Sequence, residues 1–499
     1  MTNSETAASP PALRVGAEVE LTFGDLLANG QAVGRLDGMV VFVFGPLPGE
    51  RARVRITARK AKYAVGEVRE LLATSPHRVE PFCRVFGSCG GCQVQHLSYD
   101  GQLAWKRGVV ASALQRIGGF AEVKVRKPVG MIHPRNYRNK MSLVVDRTAT
   151  PPLLGFYKQR SHDVVPIDAC PIVQPALDAA IEALNGIRKS RELVRFFEGA
   201  RHVVARTALA TDQTVVTVTT THASAAARRL ASTVMQQIPT AVGVSNSYDM
   251  SGENAILGRK QAVMAGRGTI EEQLGEVRYA ISSASFFQVN TEIVERILAF
   301  LKHGLQHPLQ IVDLYSGAGT FALFFAKHGA SVVGIEENRA AVAEARENAE
   351  LNSLTGSVRF QAGRVEEVLG RPDGQAALAG AQVVFLDPPR KGSDERTLGA
   401  VAAARVPHIW YLSCDPATLA RDLKFLAANG YRLGVVQPFD MFPQTGHVET
   451  LVTLYREAAA DDGEPAAAEE DPFRNAPVPQ WPDDEFAKSD PEYPEFVIR

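Results

Sequence analysis

The feature that most constrains the fold is a regular alternation of strand-like and helix-forming segments between about residues 285 and 456. Short apolar runs predict strands, and intervening segments such as 338–352, rich in Ala, Glu and Arg, favour helices. The predicted strands are residues 309–314, 331–336, 357–361, 382–387, 408–413, 431–438 and 448–455. Because such alternation is typical of an open α/β sheet, we predict a Rossmann-like sheet of seven strands whose last two pair as a hairpin.

A glycine loop, Asp-Leu-Tyr-Ser-Gly-Ala-Gly-Thr at 313–320, follows the first predicted strand. Ligands of open α/β sheets bind at the carboxyl ends of the strands, and Gly317 and Gly319 allow the backbone to approach a ligand closely. Glu336 ends the next strand, where a carboxylate can accept both ribose hydroxyls of a nucleoside. A loop of this form is typical of sites for S-adenosylmethionine.

Cys414 lies in Ser-Cys-Asp-Pro after the fifth predicted strand, and Asp387-Pro-Pro-Arg390 ends the fourth. Taken alone, a cysteine after a strand is more often an inert core residue. Beside a methyl-donor loop, the thiol indicates a transferase that attacks its substrate covalently, as C5 of uracil requires because it is a weak nucleophile until a group adds to C6. Adenine-amine methyltransferases place an aromatic residue after the two prolines, so Arg390 counts against amine methylation.

The other four of the five cysteines are Cys83, Cys89, Cys92 and Cys170. Four thiols in a cytosolic chain indicate a metal rather than disulfides, and both zinc and a [4Fe–4S] cluster accept four thiolates. Three clustered cysteines with a distant one before proline favour the iron–sulfur cluster. The spacing required for radical chemistry on S-adenosylmethionine is absent, so we predict a fully ligated structural cluster.

Two further segments carry clustered cations. Residues 15–74 alternate apolar and polar residues between glycine turns, which predicts a small closed barrel. Alternation places Arg51, Arg53 and Arg55 on one side of a strand, with Arg59, Lys60 and Lys62 close behind; this row is either an RNA-binding face or a solvated strand face. The run Arg135-Asn-Tyr-Arg-Asn-Lys140 combines cations, amides and an aromatic residue that can contact phosphates and stack a base, although such a run in isolation is more often a solvated loop.

The charge of the chain is divided unevenly. Residues 457–499 contain 13 acidic and 3 basic residues in a chain whose formal net charge is −1, so the remainder carries an excess of 9 positive charges and is suited to a polyanionic partner. The Pro-rich acidic segment 457–499 is predicted to be a disordered tail that aids solubility, the alternative being a nucleic-acid mimic that folds back on a basic groove. Residues 1–14 are also expected to be disordered and lack signal-peptide features. No apolar run is long enough to span a membrane, so we expect a cytoplasmic protein.

Seven sequence blocks, in order, resemble the RNA uracil-5-methyltransferase family of the type that carries a TRAM domain and an iron–sulfur cluster. The blocks are CGGCQxQHL at 89–97, YRNK at 137–140, SFFQVN at 285–290, the loop from 313 to Phe321, FLDPPR at 385–390, SCDP at 413–416 and GHVE at 446–449. The resemblance implies a TRAM barrel at 15–74, a central mixed α/β domain at 75–284 that carries the iron–sulfur cluster, and a methyltransferase domain at 285–456.

The resemblance also assigns roles. It implies that Cys414 is the nucleophile and Glu449 the base, and that S-adenosylmethionine contacts Gln288, Tyr315, Thr320, Glu336 and Asp387. One further cofactor position, usually Asn or Asp in the family, falls at Arg364, and this departure puts its usual adenine contact in doubt.

The function expected from these features is methylation of C5 of a uridine in structured RNA, with large-subunit ribosomal RNA as substrate and the transfer RNA T-loop as the alternative. A non-catalytic RNA chaperone on the same scaffold is a second possibility, against which the presence of both Cys414 and Glu449 argues. An iron–sulfur oxidoreductase is disfavoured because no flavin or nicotinamide fingerprint is present. RNA is the expected partner, with no membrane and no obligate protein partner.

Overall fold

The structure is a computed structural model that describes residues 13–223, 226–250, 252, 255–456 and 471–477. The chain divides into two compact units. Within the described residues, the first unit comprises 13–102 and 444–446, and the second comprises 103–443, 447–456 and 471–477. None of the helices in these ranges is long and apolar enough to cross a membrane.

The first unit contains a closed barrel of five strands in the order β1-β2-β3-β5-β4. The strands are β1 (Glu18–Leu26), β2 (Gln31–Leu36), β3 (Met39–Phe44), β4 (Arg51–Arg59) and β5 (Tyr63–Ala73). Alternate residues of β1 point inward, so Val19, Leu21 and Phe23 are buried in the barrel core, as expected for a strand with one buried face. The small barrel predicted from the sequence is therefore present.

The arginine row of β4 is balanced by glutamates on both neighbouring strands. Arg53 lies opposite Glu20 of β1 and Glu70 of β5, and its guanidinium lies 3.6 Å and 2.6 Å from their respective carboxylates. Arg55 likewise lies opposite a glutamate on each side, Glu18 and Glu67. Alternation thus predicted the orientation of the row correctly, but cross-strand register makes this face a mixed-charge surface rather than a basic one. Arg51 lies opposite Thr22 and Ala73 and so has no such glutamate opposite it. Further cations lie at the end of β4 and in the turn to β5, at Arg59, Lys60 and Lys62.

A central mixed α/β region begins with a helix whose first four residues, 99–102, still belong to the first unit. Its elements are α1 (Tyr99–Ala113, continued by a π-helical turn Leu114–Gly118), β6 (Lys140–Asp146), β7 (Leu153–Tyr157), β8 (Val164–Pro166), α2 (Pro175–Ile187), α3 (Val194–Gly199), β9 (Ala200–Thr207), β10 (Thr214–Thr220), α4 (Ala227–Gln237), β11 (Ala241–Tyr248), β12 (Lys260–Gly266), β13 (Thr269–Leu274) and β14 (Val277–Ser282). Seven of the strands form one sheet in the order β12-β11-β10-β9-β6-β7-β8, and β13 and β14 form a separate hairpin.

The last region holds the predicted open sheet. Its elements are α5 (Thr291–Lys302), β15 (Gln310–Leu314), α6 (Thr320–Lys327), β16 (Ser331–Glu336), α7 (Arg339–Leu351), β17 (Val358–Ala362), α8 (Val365–Val368), α9 (Pro372–Ala379), β18 (Val383–Leu386), α10 (Glu395–Ala403), β19 (His408–Ser413), α11 (Pro416–Ala428), β20 (Tyr431–Phe439) and β21 (Glu449–Arg456). The strand order is β17-β16-β15-β18-β19-β21-β20, with β21 antiparallel to both of its neighbours.

All seven strands predicted in this region are present, including the terminal hairpin. Strands β15, β18 and β19 are buried almost completely, as parallel strands covered by helices on both faces must be. The carboxyl ends of these three strands meet at one edge of the sheet, where the sequence places the glycine loop, Asp387 and Cys414.

Residues 471–477, inside the segment expected to be a disordered tail, pack on this sheet. The Asp471 carboxylate accepts hydrogen bonds from Thr453 Oγ1 (2.6 Å) and from the backbone N–H of Val435 (3.0 Å), where the β20–β21 register is irregular. Phe473 is fully buried, and its ring stacks on Phe300 at a centroid distance of 5.2 Å. These seven residues, which we call the C-terminal latch, therefore make defined packing contacts. The rest of the predicted disordered tail, 457–470 and 478–499, and residues 1–12 of the predicted disordered N-terminus lie outside the described residues.

Candidate active site

The glycine loop after β15 has the open backbone that a ligand cradle requires. Gly317 and Gly319 have φ values of 54° and 87°, in the left-handed region that favours glycine. A Cβ added at Gly317 would meet nothing within 4 Å, so this part of the loop borders open space. Tyr315 adopts φ 68° although it is not glycine, and such strained residues cluster at functional sites.

The residues expected to contact the cofactor surround this loop. Glu336 ends β16, and its carboxylate accepts the backbone N–H of Gly317 at 3.0 Å. The Tyr315 hydroxyl lies 2.9 Å from Ser393 Oγ. Thr320 begins α6, and its carbonyl accepts the buried hydroxyl of Tyr279 at 2.9 Å. The loop and the ends of β15, β16 and β18 therefore form one connected site.

Carboxyl groups crowd the same place. Asp313 is 1% exposed, and its burial together with the charges of Asp387 and Glu336 raises the pKa of its carboxyl well above the usual value. Desolvation raises the pKa of Asp387 to about 7, although Gln288 Nε2 donates to its Oδ2 at 3.3 Å. The negative charges of these carboxylates disfavour one another. A bound cation would relieve this repulsion and would itself be stabilised.

Cys414 is positioned by a strand end and a helix start. It directly follows β19, and the next residue, Asp415, caps α11 by accepting the backbone N–H groups of Ala417 and Thr418 at 3.0 and 2.9 Å. Pro416 occupies the first helical position, where its missing N–H costs nothing. The Ser-Cys-Asp-Pro sequence therefore holds the thiol in a sharp turn at the carboxyl edge of the sheet, where it remains partly exposed.

Glu449 and Cys414 lie close enough to affect each other electrostatically. Glu449 is the first residue of β21 and is 3% exposed. Burial and the charge of Asp387 raise its pKa well above the usual value, while Arg390 opposes the shift. Burial and the charges of Glu449 and Asp387 likewise raise the pKa of the Cys414 thiol to about 12, and Arg390 again opposes them. The structure thus gathers a thiol, two carboxyls and one guanidinium.

Arg390 belongs to this site although sequence reasoning used it only to exclude another chemistry. Its Nη2 donates to His447 Nε2 at 3.2 Å, and burial and the Arg390 charge lower the pKa of His447 to about 4. The imidazole is therefore neutral at pH 7 and acts as an acceptor. The position of Arg390 directly after Asp387-Pro-Pro was the available signal, since a cation there stands between two carboxyl-bearing strand ends.

Two further residues lie in segments that the sequence assigned to the site. Arg364 is 59% exposed at the side chain and pairs with Glu366 and Glu367 of the following helix, so its guanidinium is engaged with neighbouring acids. Phe286, in the segment that carries Gln288, is 69% exposed, which is unusual for a large aromatic residue.

The four cysteines expected to bind a cluster form no disulfides and are partly buried. Cys83, Cys89 and Cys92 lie in the first unit and Cys170 lies in the second. The Cys89 sulfur accepts the backbone N–H of Gly91 at 3.4 Å, and desolvation and the nearby Cys83 raise its pKa. Within the described residues, no group of three or more His, Cys, Asp or Glu side chains is arranged to hold a metal ion.

Comparison with known proteins identifies the class of this fold and site. Residues 253–457 match the family model described as tRNA (Uracil-5-)-methyltransferase, and residues 12–68 match the TRAM domain. An uncharacterized RNA methyltransferase of Halalkalibacterium halodurans is 36% identical over 446 residues, covering 87% of this chain and 96% of that protein. An uncharacterized RNA methyltransferase of Gloeobacter violaceus is 37% identical over 463 residues, covering 90% of this chain and 98% of that protein.

A solved structure agrees with these relatives. The crystal structure of Pyrococcus abyssi tRNA (uracil-54, C5)-methyltransferase in complex with S-adenosyl-L-homocysteine is 28% identical, with a TM-score of 0.68, and covers 87% of this chain and 100% of that one. The fold and site are those of an S-adenosylmethionine-dependent methyltransferase. The chain belongs to the RNA (uracil-5-)-methyltransferase family.

Proposed function

We propose that this enzyme methylates C5 of a uridine through a covalent bond between Cys414 and C6 of the base. The observation that carries the proposal is the meeting of Cys414, Glu449 and Asp387 at one sheet edge, where their charges act on one another. A thiol beside a buried carboxyl suits addition to C6 followed by removal of the C5 proton. The target base must leave its stack to reach them.

The residues then act in a fixed order. Cys414 attacks C6 as the thiolate, since the anion is the nucleophile, and Arg390 is the protein cation that favours this ionised form. S-adenosylmethionine, when bound, supplies the methyl group to C5 from a sulfonium whose positive charge also favours the thiolate. The Glu449 carboxylate takes the C5 proton, the C6–sulfur bond breaks, and the thiolate is regenerated. A carboxyl with a raised pKa is matched to proton transfer near neutral pH.

The residues around the glycine loop fit the methyl donor. Glu336 ends β16 where it can accept the ribose hydroxyls, and the open space at Gly317 admits the methionine portion. Asp313 and Asp387 supply the negative surroundings that suit a sulfonium and an ammonium. Gln288, Tyr315 and Thr320 complete the proposed cofactor contacts.

The RNA substrate is proposed to be large-subunit ribosomal RNA, modified in the cytoplasm without an obligate protein partner. The combination of a TRAM barrel with a cysteine cluster favours this choice. Transfer RNA is the second candidate, because the Pyrococcus abyssi relative acts on uracil-54 of tRNA.

Deletion of the gene is expected to remove one or more 5-methyluridines from large-subunit ribosomal RNA and leave transfer RNA unchanged. Mass spectrometry of nuclease fragments from both RNAs, with the gene restored as control, measures this directly. Loss confined to the T-loop of transfer RNA would transfer the assignment to the second candidate. No loss in either RNA would contradict the proposal.

We further propose that Cys83, Cys89, Cys92 and Cys170 hold a structural [4Fe–4S] cluster. The donors fit in kind: all four are cysteine sulfurs outside disulfides, and the N–H of Gly91 points at the Cys89 sulfur, a contact that tunes such clusters. The cluster would be structural and would take no part in methyl transfer.

Protein purified anaerobically should be brown and contain about four irons and four sulfides per chain. Cys170→Ala should lose the iron and melt at a lower temperature, because the structural cluster is lost with one of its ligands. Cys414→Ala is the matched control, which removes a thiol but keeps the iron. Stoichiometric zinc without iron in wild type would refute the cluster.

A further inference from the structure

Three cations converge where the central sheet approaches the active site. Lys140 begins β6, and its register partner on the antiparallel strand β9 is Arg206. Arg138, two residues earlier, donates from Nε to the Lys140 carbonyl at 2.9 Å. We call these three residues the cationic cluster. Like charges directly opposite each other destabilise an antiparallel pair, so this arrangement needs a compensating reason.

Within the described residues, no carboxylate acts on the charge of Lys140, and two donor nitrogens of Arg206 have no acceptor. Arg206 is 1% exposed, and its Nη2 donates to the Ser285 carbonyl at 2.8 Å, while Nε and Nη1 have no hydrogen-bond partner in the described part of the chain. The charged groups that act on Lys140 are Arg206 and Arg138, with no carboxylate among them. Burial and these two guanidiniums lower the pKa of Lys140 to about 7.

The acids that face the cluster act on Arg206 and are already engaged. Glu344 of α7 accepts the hydroxyls of Ser282 and Ser285. Glu272 of β13 accepts the backbone N–H groups at 209 and 210 at 2.8 and 3.0 Å. Both stabilise the Arg206 charge, and neither acts on Lys140. Among the described residues, no carboxylate is therefore left to neutralise Lys140, and an anionic ligand could take this place.

The cluster borders the segment that carries the active-site residue Gln288. Arg206 contacts the Ser285 carbonyl, and Asn139, between Arg138 and Lys140, donates from Nδ2 to the Gln288 carbonyl at 3.0 Å. The Arg138 charge also acts on His447. Tyr137, which the sequence suggested as a stacking residue, is instead buried, with its hydroxyl bonded to the Pro443 carbonyl at 3.1 Å. Within residues 135–140, the cations rather than Tyr137 are therefore the side chains that can contact RNA.

We propose that the cationic cluster binds a backbone phosphodiester of the RNA next to the target uridine, with Lys140 and Arg138 in contact and buried Arg206 supporting them. The proposal rests on the proposed function, in which that uridine enters the active site. Phosphate contacts fix the position of a nucleic acid without reading its sequence. They would hold the flanking strand while the base is displaced.

A pH dependence of RNA binding follows from the position of Lys140. A bound phosphate favours the ammonium and raises its pKa above the value of about 7 in the free enzyme. Below pH 7 Lys140 is already charged and affinity is at its full value. As pH rises above 7, binding must take up a proton, so affinity falls until the pH reaches the raised pKa of the complex.

The test measures binding of unmodified large-subunit ribosomal RNA transcript by filter retention, without methyl donor, between pH 6 and 8.5. At pH 6 we expect Lys140→Gln to bind about 5- to 10-fold more weakly, with the slope of log affinity against log salt concentration reduced by about one because one phosphate contact is lost. The pH dependence should disappear. Lys140→Arg should keep the affinity yet lose the pH dependence, because a guanidinium stays charged.

Lys260→Gln on β12, the edge strand of the same sheet, is the matched control and should change nothing; its side chain is 65% exposed. Wild-type affinity and pH dependence in Lys140→Gln would overturn the proposal. The proposal would also be overturned if Lys140→Gln bound RNA normally but bound S-adenosylmethionine more weakly in calorimetry. The cationic cluster would then bind the carboxylate of the cofactor. Failure of the proposed function would give a different result. The wild-type enzyme would bind the transcript with this pH dependence but would form no 5-methyluridine when methyl donor is added.

Discussion

Cys414→Ala is expected to abolish methyl transfer, with a loss of roughly 10⁴-fold or more, as is common when a covalent nucleophile is removed. The variant should still bind S-adenosylmethionine and RNA. The thiol is partly exposed, and the turn that holds it is fixed by the Asp415 cap and Pro416 rather than by the sulfur. Stability should therefore change little. Single-turnover assays with a methyl-labelled donor measure the loss.

A substrate with 5-fluorouridine separates loss of the nucleophile from loss of binding. Fluorine cannot leave as a proton does, so wild type should remain covalently attached to the RNA and migrate as a shifted band in denaturing gels. Cys414→Ala should give no such band. Turnover of the alanine variant at an appreciable fraction of the wild-type rate would show that the covalent route is wrong.

The high pKa of Cys414, about 12 in the free protein, adds a further expectation. The thiol should react slowly with iodoacetamide at pH 7, because little thiolate is present. Sinefungin, which carries an amine in place of the sulfonium, should accelerate alkylation more than neutral S-adenosylhomocysteine. Equal acceleration by the two would argue against electrostatic activation of the thiol.

Glu449→Gln is expected to stop the reaction after methyl transfer. The amide keeps the shape of the side chain but cannot accept the C5 proton, so Cys414 can still attack while elimination fails. The variant should accumulate a denaturation-resistant RNA–protein adduct that carries the labelled methyl group, with turnover lowered by about 10²- to 10⁴-fold. Wild type should show little of this adduct with ordinary uridine.

Asp387→Asn is the comparison for this variant. Asp387 lies against Gln288 and influences both Glu449 and Cys414, so its loss should weaken cofactor binding without trapping a methylated adduct. Full turnover in Glu449→Gln would exclude it as the base. An inactive variant without adduct would assign Glu449 instead to holding the uracil ring for attack.

The open sheet and its edge could be predicted because they depend on local patterns. Apolar runs and helix-forming segments set the seven strands, and the motifs that carry Asp387 and Cys414 lie directly at strand ends. What brings them beside Glu449 is the antiparallel insertion of β21 between β19 and β20. The predicted terminal hairpin did not specify this insertion, because a hairpin alone does not determine which of its strands pairs with the preceding one.

Features that depend on long-range register could not be predicted. The Arg53 row looked basic because the opposing glutamates stand on other strands. Arg206 lies far along the chain from Lys140, and the two become neighbours only through the β6–β9 pairing. Phe473 sits in an acidic, Pro-rich stretch whose composition indicates disorder, yet its ring is buried against Phe300 and Trp410, which are distant in the sequence.

Because of the C-terminal latch, the folded unit extends beyond the residue at which the family match ends. The family match stops at residue 457, whereas Phe473 fills a site lined by Phe300 and Trp410, and Arg126 donates to the carbonyls of 473, 474 and 476. A chain cut at the homology boundary would expose this aromatic site and leave the Arg126 guanidinium without those acceptors. Such a truncated chain is therefore expected to unfold at a lower temperature than a chain that keeps residues 471–477, because it loses the burial of Phe473.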